Sequence, residues 1–586
     1  MEKIKLTPEE MYKLWCDHES NSFVEKRKLS ELKPQDIVEL FSPSGEEFQF
    51  GTSGIRSIVG VGPKRLNLHT YRVFAEAYAK FLNSKYDRAK VLIGYDNREL
   101  SKSFARAVYK VLVFNNVRAI LSTVSVPTPI LAYYIKKRQF HGGIMITASH
   151  NPPEYNGMKF YDGRGGQLSM EEEAEIRKLF RKPERYLSIR WNPEIKINAI
   201  GNEAFHEYAL DLQREIGIRL GGFYPLGSTI IRTIKFLFSS HHGTSSGRMK
   251  HLSKMMGSQQ FREFGPECTP TFSFPKNEII NPEYPQSFQA MESEARSMEI
   301  DYLVAHDPDS DRGALGEFDG TSWYYFTGNE MAILLAVFLL ELASNPKYNI
   351  EVNYKYLITT YVSGDFIDKV VSSFNREIEI KRTNTGFKSI GQMIEKYSKR
   401  GEVLLGCEEA IGLSIFSNLS LEKDGFQQTV LTIFMIGYYK FHSKNLITQL
   451  YWLMWELQTI WLGKTIVFNL RNLKHREAIL TKLKTLLHSQ TLLNIAGFKL
   501  KVLPGEIPEI FTFQFENSES WIKARFSGTE PKFKLYFNIY SFFEKSSKQL
   551  HKNNWMEFIK GERMKLEKTI ASINRELKMI LLTSKD

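Results

Sequence analysis

The chain has 586 residues, of which 78 are Lys or Arg and 66 are Asp or Glu, a formal charge of +12. At about 100–200 residues per domain this length holds roughly three to five domains, and 42% hydrophobic with 25% charged residues is an ordinary globular composition. The basic residues are scattered, with no arginine-rich arm and no interleaved aromatic repeat, so the excess charge speaks for a solvated surface or small anionic ligands and against nucleic acid.

The opening "MEKIKLTPEEMYKLW" lacks the apolar core of a signal peptide, and cytoplasm is the expected compartment. "FGTSGIR" then offers Arg56 after two glycines. "KVLIGYDNRELSKSFARAVYKVL" (Lys90 to Leu112) reads as a strand ending at Asp96-Asn97-Arg98 and a helix with Phe104, Val108 and Leu112 on one face. In "GIMITASHNPPEYNGMKFY" (Gly143 to Tyr161), Ile144 to Ile146 end a buried strand, and Pro152 and Pro153 forbid further pairing. Ser149 is left in a stiff loop at the strand's exit. Such loops carry function, but a serine there serves equally as a cap or turn former. Asn192 to Phe205 reads as a linker after a charged helix.

The strand–loop–helix pattern recurs at "IKFLFSSHHGTSSGRMKHL", "DYLVAHDPDSDR" and "YLITTYVSGDFIDKVV", which argues for α/β layers with mainly parallel strands and chemistry at their carboxyl ends. In "AHDPDSDRG", Asp307, Asp309 and Asp311 alternate after an apolar strand, so an extended loop brings three carboxylates to one side, a set suited to magnesium. An EF-hand is excluded, since its sixth position is Arg312 instead of glycine and its twelfth is Phe318 instead of glutamate. "FDGTSWYYFTGNE" reads as a hairpin leading into a helix, and the apolar run Met331 to Leu340 is about half of the ~20 residues of a membrane span, hence a buried helix. "RTNTGFKSIG" places Lys388 in a glycine-bearing loop. "LLGCEEAIGLS" puts Glu408 and Glu409 after a strand, to hold sugar hydroxyls, exchange protons, or simply favour a helix N-terminus.

From Leu457 the rhythm changes to antiparallel-like alternation and a smaller α+β domain is expected. The GKT at Gly463 to Thr465 is not a P-loop, because Gln458 replaces its first glycine. "KARFSGTEPKFKLYF" offers Arg525, Ser527, Gly528, Thr529 and Lys532, the parts of either a phosphate site or a charged hairpin turn. The lysine-rich stretch from Glu544 has helical apolar spacing and reads as a surface helix. Cys16, Cys268 and Cys407 are too far apart for a disulfide framework or a zinc spacing.

The ordered set "FGTSGIR", "TASHNP", "DPDSDR", "TGFK", "CEEAIG" and "RFSGTEPK", from about Phe50 to Tyr540, resembles the α-D-phosphohexomutases. "VSVPTPI" and "YDNREL" are similar to the eukaryotic phosphoglucomutase and phosphopentomutase branch. The resemblance implies four domains around a basic cleft: three α/β domains with mixed sheets (1–205, 206–325, 326–455) and a C-terminal α+β domain with a basic helical tail (456–586). It implies a phosphoserine at Ser149 and one magnesium ion per chain held by Ser149, Asp307, Asp309 and Asp311. Arg56 and Arg312 would stabilise the moving phosphoryl group, with His150 and Lys159 beside the serine and Lys159 matching a lysine of proton transfer. Lys388, Glu408, Glu409 and Gly412 match the sugar side, and Arg525, Ser527, Gly528, Thr529 and Lys532 match the loop that grips the non-reacting phosphate.

The implied activity is interconversion of glucose 1-phosphate and glucose 6-phosphate, with a sugar bisphosphate as intermediate and activator. Pentose phosphates, sugar bisphosphate synthesis and a mannose phosphate side activity are alternatives. The partners implied are small phosphosugars, with neither nucleic acid nor membrane, and a monomer is favoured. Two departures stand out. Ile411 stands where many bacterial hexomutases have a serine, which removes a hydroxyl contact and favours the pentose branch. Ser245 stands where related chains have glycine.

Overall fold

A computed structural model describes residues 6–582 except 20–22, 44–46, 52, 270, 272–273, 276–278, 529–531 and 546–553. Four sheets follow one another along the chain. The first has the order Ile55–Ile58, Tyr155–Asp162, Gly142–Ile146, Lys90–Tyr95, Arg118–Ser122, Ala199–Ile200. Its strands from Gly142–Ile146 outward run parallel and its other two pairings are antiparallel. Gly142–Ile146 is buried along its whole length under the helices Ser101–Phe114 and Thr128–Lys137, which is why it reads as an unbroken apolar run and not as an alternation. The expected linker is only partly one: Ala199–Ile200 pairs with the first sheet and the helix Glu203–Leu220 begins three residues later.

The second sheet (Trp323–Tyr325, Gly313–Phe318, Tyr302–His306, Phe236–Ser239, Phe261–Glu263) contains the hairpin expected over 318–330. The third (Glu379–Thr383, Tyr354–Thr360, Glu402–Cys407, Leu413–Ser414) is parallel except at its last strand. The fourth, from Thr459–Asn469 to Lys532–Phe542, is antiparallel throughout, as the alternation predicts. These are three α/β units with mixed sheets and a C-terminal unit of sheet and helices.

The run Met331 to Leu340 lies inside the helix Gly328–Ser344 and is buried, packed with Gly425–Phe441 and Leu446–Glu456. Among the described residues no helix is long and apolar enough to cross a membrane. The lysine-rich tail contains the expected helix, and the structure adds what its apolar face packs on, the fourth sheet and the helix Leu446–Glu456. Trp555–Leu582 buries Ile559, Leu566, Ile570, Ile573, Leu577 and Leu581, a three-and-four spacing that makes one apolar stripe and leaves the lysines outside.

Candidate active site

The strand Gly142–Ile146 runs straight into the loop that carries Ser149. Ser149 adopts a left-handed backbone, φ 52°, a conformation costing about 1–3 kcal/mol that the surroundings must overcome. Arg98 does much of this. It is buried and donates to the carbonyls of Ser149 (2.6 Å), Asn151, Pro152 (2.8 Å) and Tyr155 (3.0 Å). Asp96, 3.3 Å away, balances its charge, and the Ser149 N–H donates to Thr147 Oγ1 at 2.9 Å. Sequence reasoning quoted "YDNREL" without giving Arg98 a role. Its signal was a charge at the exit of Lys90–Tyr95, the parallel neighbour of the serine strand.

The Ser149 hydroxyl donates to Asp307 Oδ2 at 2.7 Å and lies 3.2 Å from His150 Nδ1. Ser149 and the 307–311 turn are therefore in direct contact. Asp307, Asp309 and Asp311 leave the strand Tyr302–His306 with carboxylate oxygens within 4.8 Å of one another. Lys159, on the strand that follows the serine loop, donates to Asp309 (2.7 Å) and Asp311 (2.8 Å), and Thr128 Oγ1 donates to Asp309 (2.8 Å). Burial and the neighbouring Asp311 and Asp309 push the Asp307 carboxyl well above its ordinary range. Burial acts the same way on Asp309, but Lys159 overrides it and holds that carboxyl low. Burial, then Arg312 and Arg56, keeps His150 well below the ordinary histidine range and so neutral. Asp309 Oδ1 and Asp311 Oδ1 are buried without a hydrogen-bond partner. Two orphaned carboxylate oxygens in an all-oxygen set fit a hard divalent cation such as magnesium.

A cleft opens beside this pair, with residues from all four sheet units in its wall. Arg56, Arg312, Lys423, Arg525, Lys532 and Lys534 face it against Glu283, Glu408 and Glu409, so its field favours an anion. His150 and Arg312 join the Ser149–Asp307 contact to the cleft; Arg56 donates to Asn151 Oδ1 (2.7 Å), and Arg312 pairs with Glu283. At the far side Arg525 and Lys534 are register partners on adjacent strands, and Ser527 N–H bonds the Lys532 carbonyl at 2.8 Å. Gly528 is exposed at the tip. Thr529 lies outside the described residues. Lys534 was missed, although Lys532 and Lys534 alternate onto one face of a strand.

The sugar-loop candidates follow the strand Glu402–Cys407. Glu408 pairs with Lys423 (3.2 Å), which also reaches Asp311 (3.6 Å), so Lys423 links the loop to the aspartates; nothing in "LEKDG" singled it out. Glu409 accepts from Thr360 (3.1 Å) and Ser363 (3.4 Å), and burial and Glu408 raise its pKa. At Gly412 a Cβ would stand 2.6 Å from the Glu408 carboxylate and 2.7 Å from the Lys423 side chain, so a larger residue there would have to displace that ion pair. Ile411 corrects the sequence argument. It has φ 53°, is 2% exposed, and belongs to the apolar cluster that holds Leu237, Leu303 and Ala314 of the second unit, whereas Glu408, Glu409 and Ala410 line the cleft. A hydroxyl at position 411 would not point at a ligand.

Lys388 is buried and its ammonium pairs with Glu173 of the helix Met170–Lys178. Burial, working against Lys388, raises the Glu173 carboxyl to about 7. The folded protein then binds a proton more readily than the unfolded chain. The stability this contributes is fully present below about pH 4.5 and lost as pH rises through about 7. Between pH 5 and 8 the parent is expected to lose roughly 1–3 kcal/mol relative to Glu173→Gln. Denaturant unfolding of both proteins at the two pH values measures it, and parallel pH profiles would refute it.

Models of the phosphoglucomutase/phosphomannomutase alpha/beta/alpha domains I, II and III match residues 47–187, 227–320 and 327–452. The chain is 29% identical over 567 residues to a phosphomannomutase of Mycoplasma genitalium, covering 94% of this chain and 98% of that protein. It is 30% identical over 524 residues to a phosphoglucomutase of Staphylococcus saprophyticus, covering 84% and 90%. The fold is similar to that of pp63/parafusin from Paramecium in its open form, with TM-score 0.63, 17% identity, and 92% and 95% of the two chains covered.

Proposed function

The chain belongs to the phosphoglucomutase/phosphomannomutase family, and on that premise we propose that it moves a phosphoryl group between two hydroxyls of one sugar through Ser149. The observation that carries this is the Ser149 hydroxyl, held in a left-handed turn 2.7 Å from Asp307 beside a cationic cleft. In the first half-reaction the phosphoserine Oγ–P bond breaks as a sugar oxygen–phosphorus bond forms, and the sugar hydroxyl gives up its proton. In the second, the other phosphate of the bisphosphate returns to Oγ and its sugar oxygen takes a proton back. Proton transfer falls to His150 or Lys159, the titratable nitrogens built beside the serine–aspartate pair.

Asp307, Asp309, Asp311 and the Ser149 oxygen would hold one magnesium ion, which supplies charge withdrawal from the migrating group. Arg56 and Arg312 face the cleft beside the serine and neutralise the equatorial oxygens. Arg525, Ser527, Gly528, Thr529 and Lys532 grip the phosphate that is not reacting, while Glu408, Glu409, Gly412 and Lys388 form the sugar side. A sugar bisphosphate primes the serine and is the intermediate. After the first transfer it turns end for end, so one set of sugar contacts must serve both orientations.

The proposed substrate pair is glucose 1-phosphate and glucose 6-phosphate. Mannose phosphates are the second reading, favoured by the name of the Mycoplasma genitalium relative. The inward turn of Ile411 removes one argument for pentoses. Initial rates with magnesium and a catalytic hexose bisphosphate on glucose, mannose and ribose 1-phosphates test the reading. Highest kcat/KM on glucose 1-phosphate is expected; a much higher value on ribose or mannose overturns the substrate, and no turnover of any overturns the reaction.

A further inference from the structure

The helix Trp555–Leu582 lies beyond the last matched segment, 327–452, and yet reaches back through Arg563 to the start of the helix Gly328–Ser344. Its Arg563 is 7% exposed and donates to Glu330 Oε1 (2.6 Å) and to the Tyr324 hydroxyl (2.7 Å), which in turn donates to the same Glu330 oxygen (2.7 Å). Glu330, 2% exposed, occupies the third position of the helix Gly328–Ser344. Its Oε2 accepts the Thr327 N–H (2.9 Å), and its own N–H donates to Thr327 Oγ1 (3.3 Å). This capping box fixes the first turn. A carboxylate so deeply buried is tolerable only with a charged partner, and Arg563 is that partner.

The first turn is the floor of the sugar loop. At Gly328 a Cβ would stand 2.4 Å from the Glu409 carbonyl oxygen and 2.6 Å from the Ile411 nitrogen, so backbone lies directly on backbone. Asn329 Oδ1 accepts the Gly364 N–H (3.2 Å), holding the segment whose Thr360 and Ser363 hydroxyls donate to the Glu409 carboxylate. A shift of this turn therefore moves Glu409 from two sides, through its own backbone and through the hydroxyls that orient its side chain.

We infer that Arg563 is a positioning residue for the sugar loop, acting through Glu330 and the first turn of Gly328–Ser344. The inference rests on the phosphosugar mutase reading for its kinetic arm only. In Arg563→Met the KM for the preferred hexose phosphate is expected to rise about tenfold with kcat within about twofold, since ground-state and transition-state sugar contacts are lost alike. Arg563→Lys, which keeps the charge but engages fewer acceptors, is expected to recover most of the loss. Hydrogen exchange at amides 408–412 should quicken in Arg563→Met and stay near the parent in Arg563→Lys.

A folded Arg563→Met with parent KM and parent exchange at 408–412 overturns the inference and reduces Arg563 to a structural contact. If Arg563→Met does not fold, Arg563→Gln, which keeps hydrogen-bond donors but not the charge, decides. A KM raised about threefold with kcat kept supports it, and an unchanged KM overturns it. If the parent turns over no phosphosugar, the mutase reading fails by itself and the exchange comparison still decides the positioning role.

Discussion

Ser149→Ala is expected to lower turnover of the preferred hexose phosphate by on the order of 10⁴-fold or more, because the proposed reaction passes through the Ser149 oxygen. Parent protein incubated with a hexose bisphosphate should gain the mass of one phosphoryl group, and the same variant should not. Stability separates this chemistry from folding. Alanine keeps the left-handed strain at φ 52° and gives up the hydroxyl bond to Asp307, a loss of about 1–2 kcal/mol. Glycine gives up the same bond but adopts that φ freely, so Ser149→Gly should be more stable than Ser149→Ala by about 1 kcal/mol while equally inactive. Two dead variants ordered in stability by backbone strain identify the hydroxyl, and not the loop's integrity, as what the reaction needs. Turnover of Ser149→Ala at the parent rate would end the phosphoserine account.

The serine loop and the aspartate turn were legible because each breaks a pattern where patterns are strong: an apolar parallel strand stops, and prolines or alternating carboxylates follow. What supports them was less so. Arg98 serves the loop from a neighbouring strand, and that adjacency is set by sheet order, which single-strand patterning does not carry. Glu173 and Lys388 meet across two units far apart in the chain. Ile411 was matched to a serine of bacterial hexomutases and so to a lost hydroxyl contact, but a motif match gives no direction for a side chain in a turn with positive φ, and its burial in the cluster with Leu237, Leu303 and Ala314 decides it. In the C-terminal helix the apolar spacing was legible among the lysines, but its partners, the fourth sheet and the helix Leu446–Glu456, are set by tertiary packing that one segment's pattern does not carry.

The three aspartates are not equivalent, and their replacement should show it. Asp309→Asn leaves Lys159 buried with Asp311 as its remaining carboxylate partner, and weakens the bond from Thr128. Removing one member of a buried pair costs about 3–5 kcal/mol, so this variant should unfold at markedly lower denaturant. Asp307 makes no bond to Lys159. Its carboxyl is held toward the protonated form by burial and its two neighbours, and it accepts the Ser149 hydroxyl and the Arg312 N–H (3.1 Å). The neutral isostere in Asp307→Asn can accept the Arg312 N–H through its oxygen and donate its amide N–H to Ser149 Oγ, and it removes a charge the site disfavours, so it should be about as stable as the parent without added metal. For a cation the order changes, since each variant deletes one anionic ligand. Both should bind Mn²⁺ at least about tenfold more weakly by titration and lose on the order of 10³-fold in turnover. An Asp307→Asn protein as destabilised as Asp309→Asn would show that the two carboxylates share one structural role. Parent-like Mn²⁺ affinity in both would show that the turn is an ion-pair lattice for Lys159 and not a metal site.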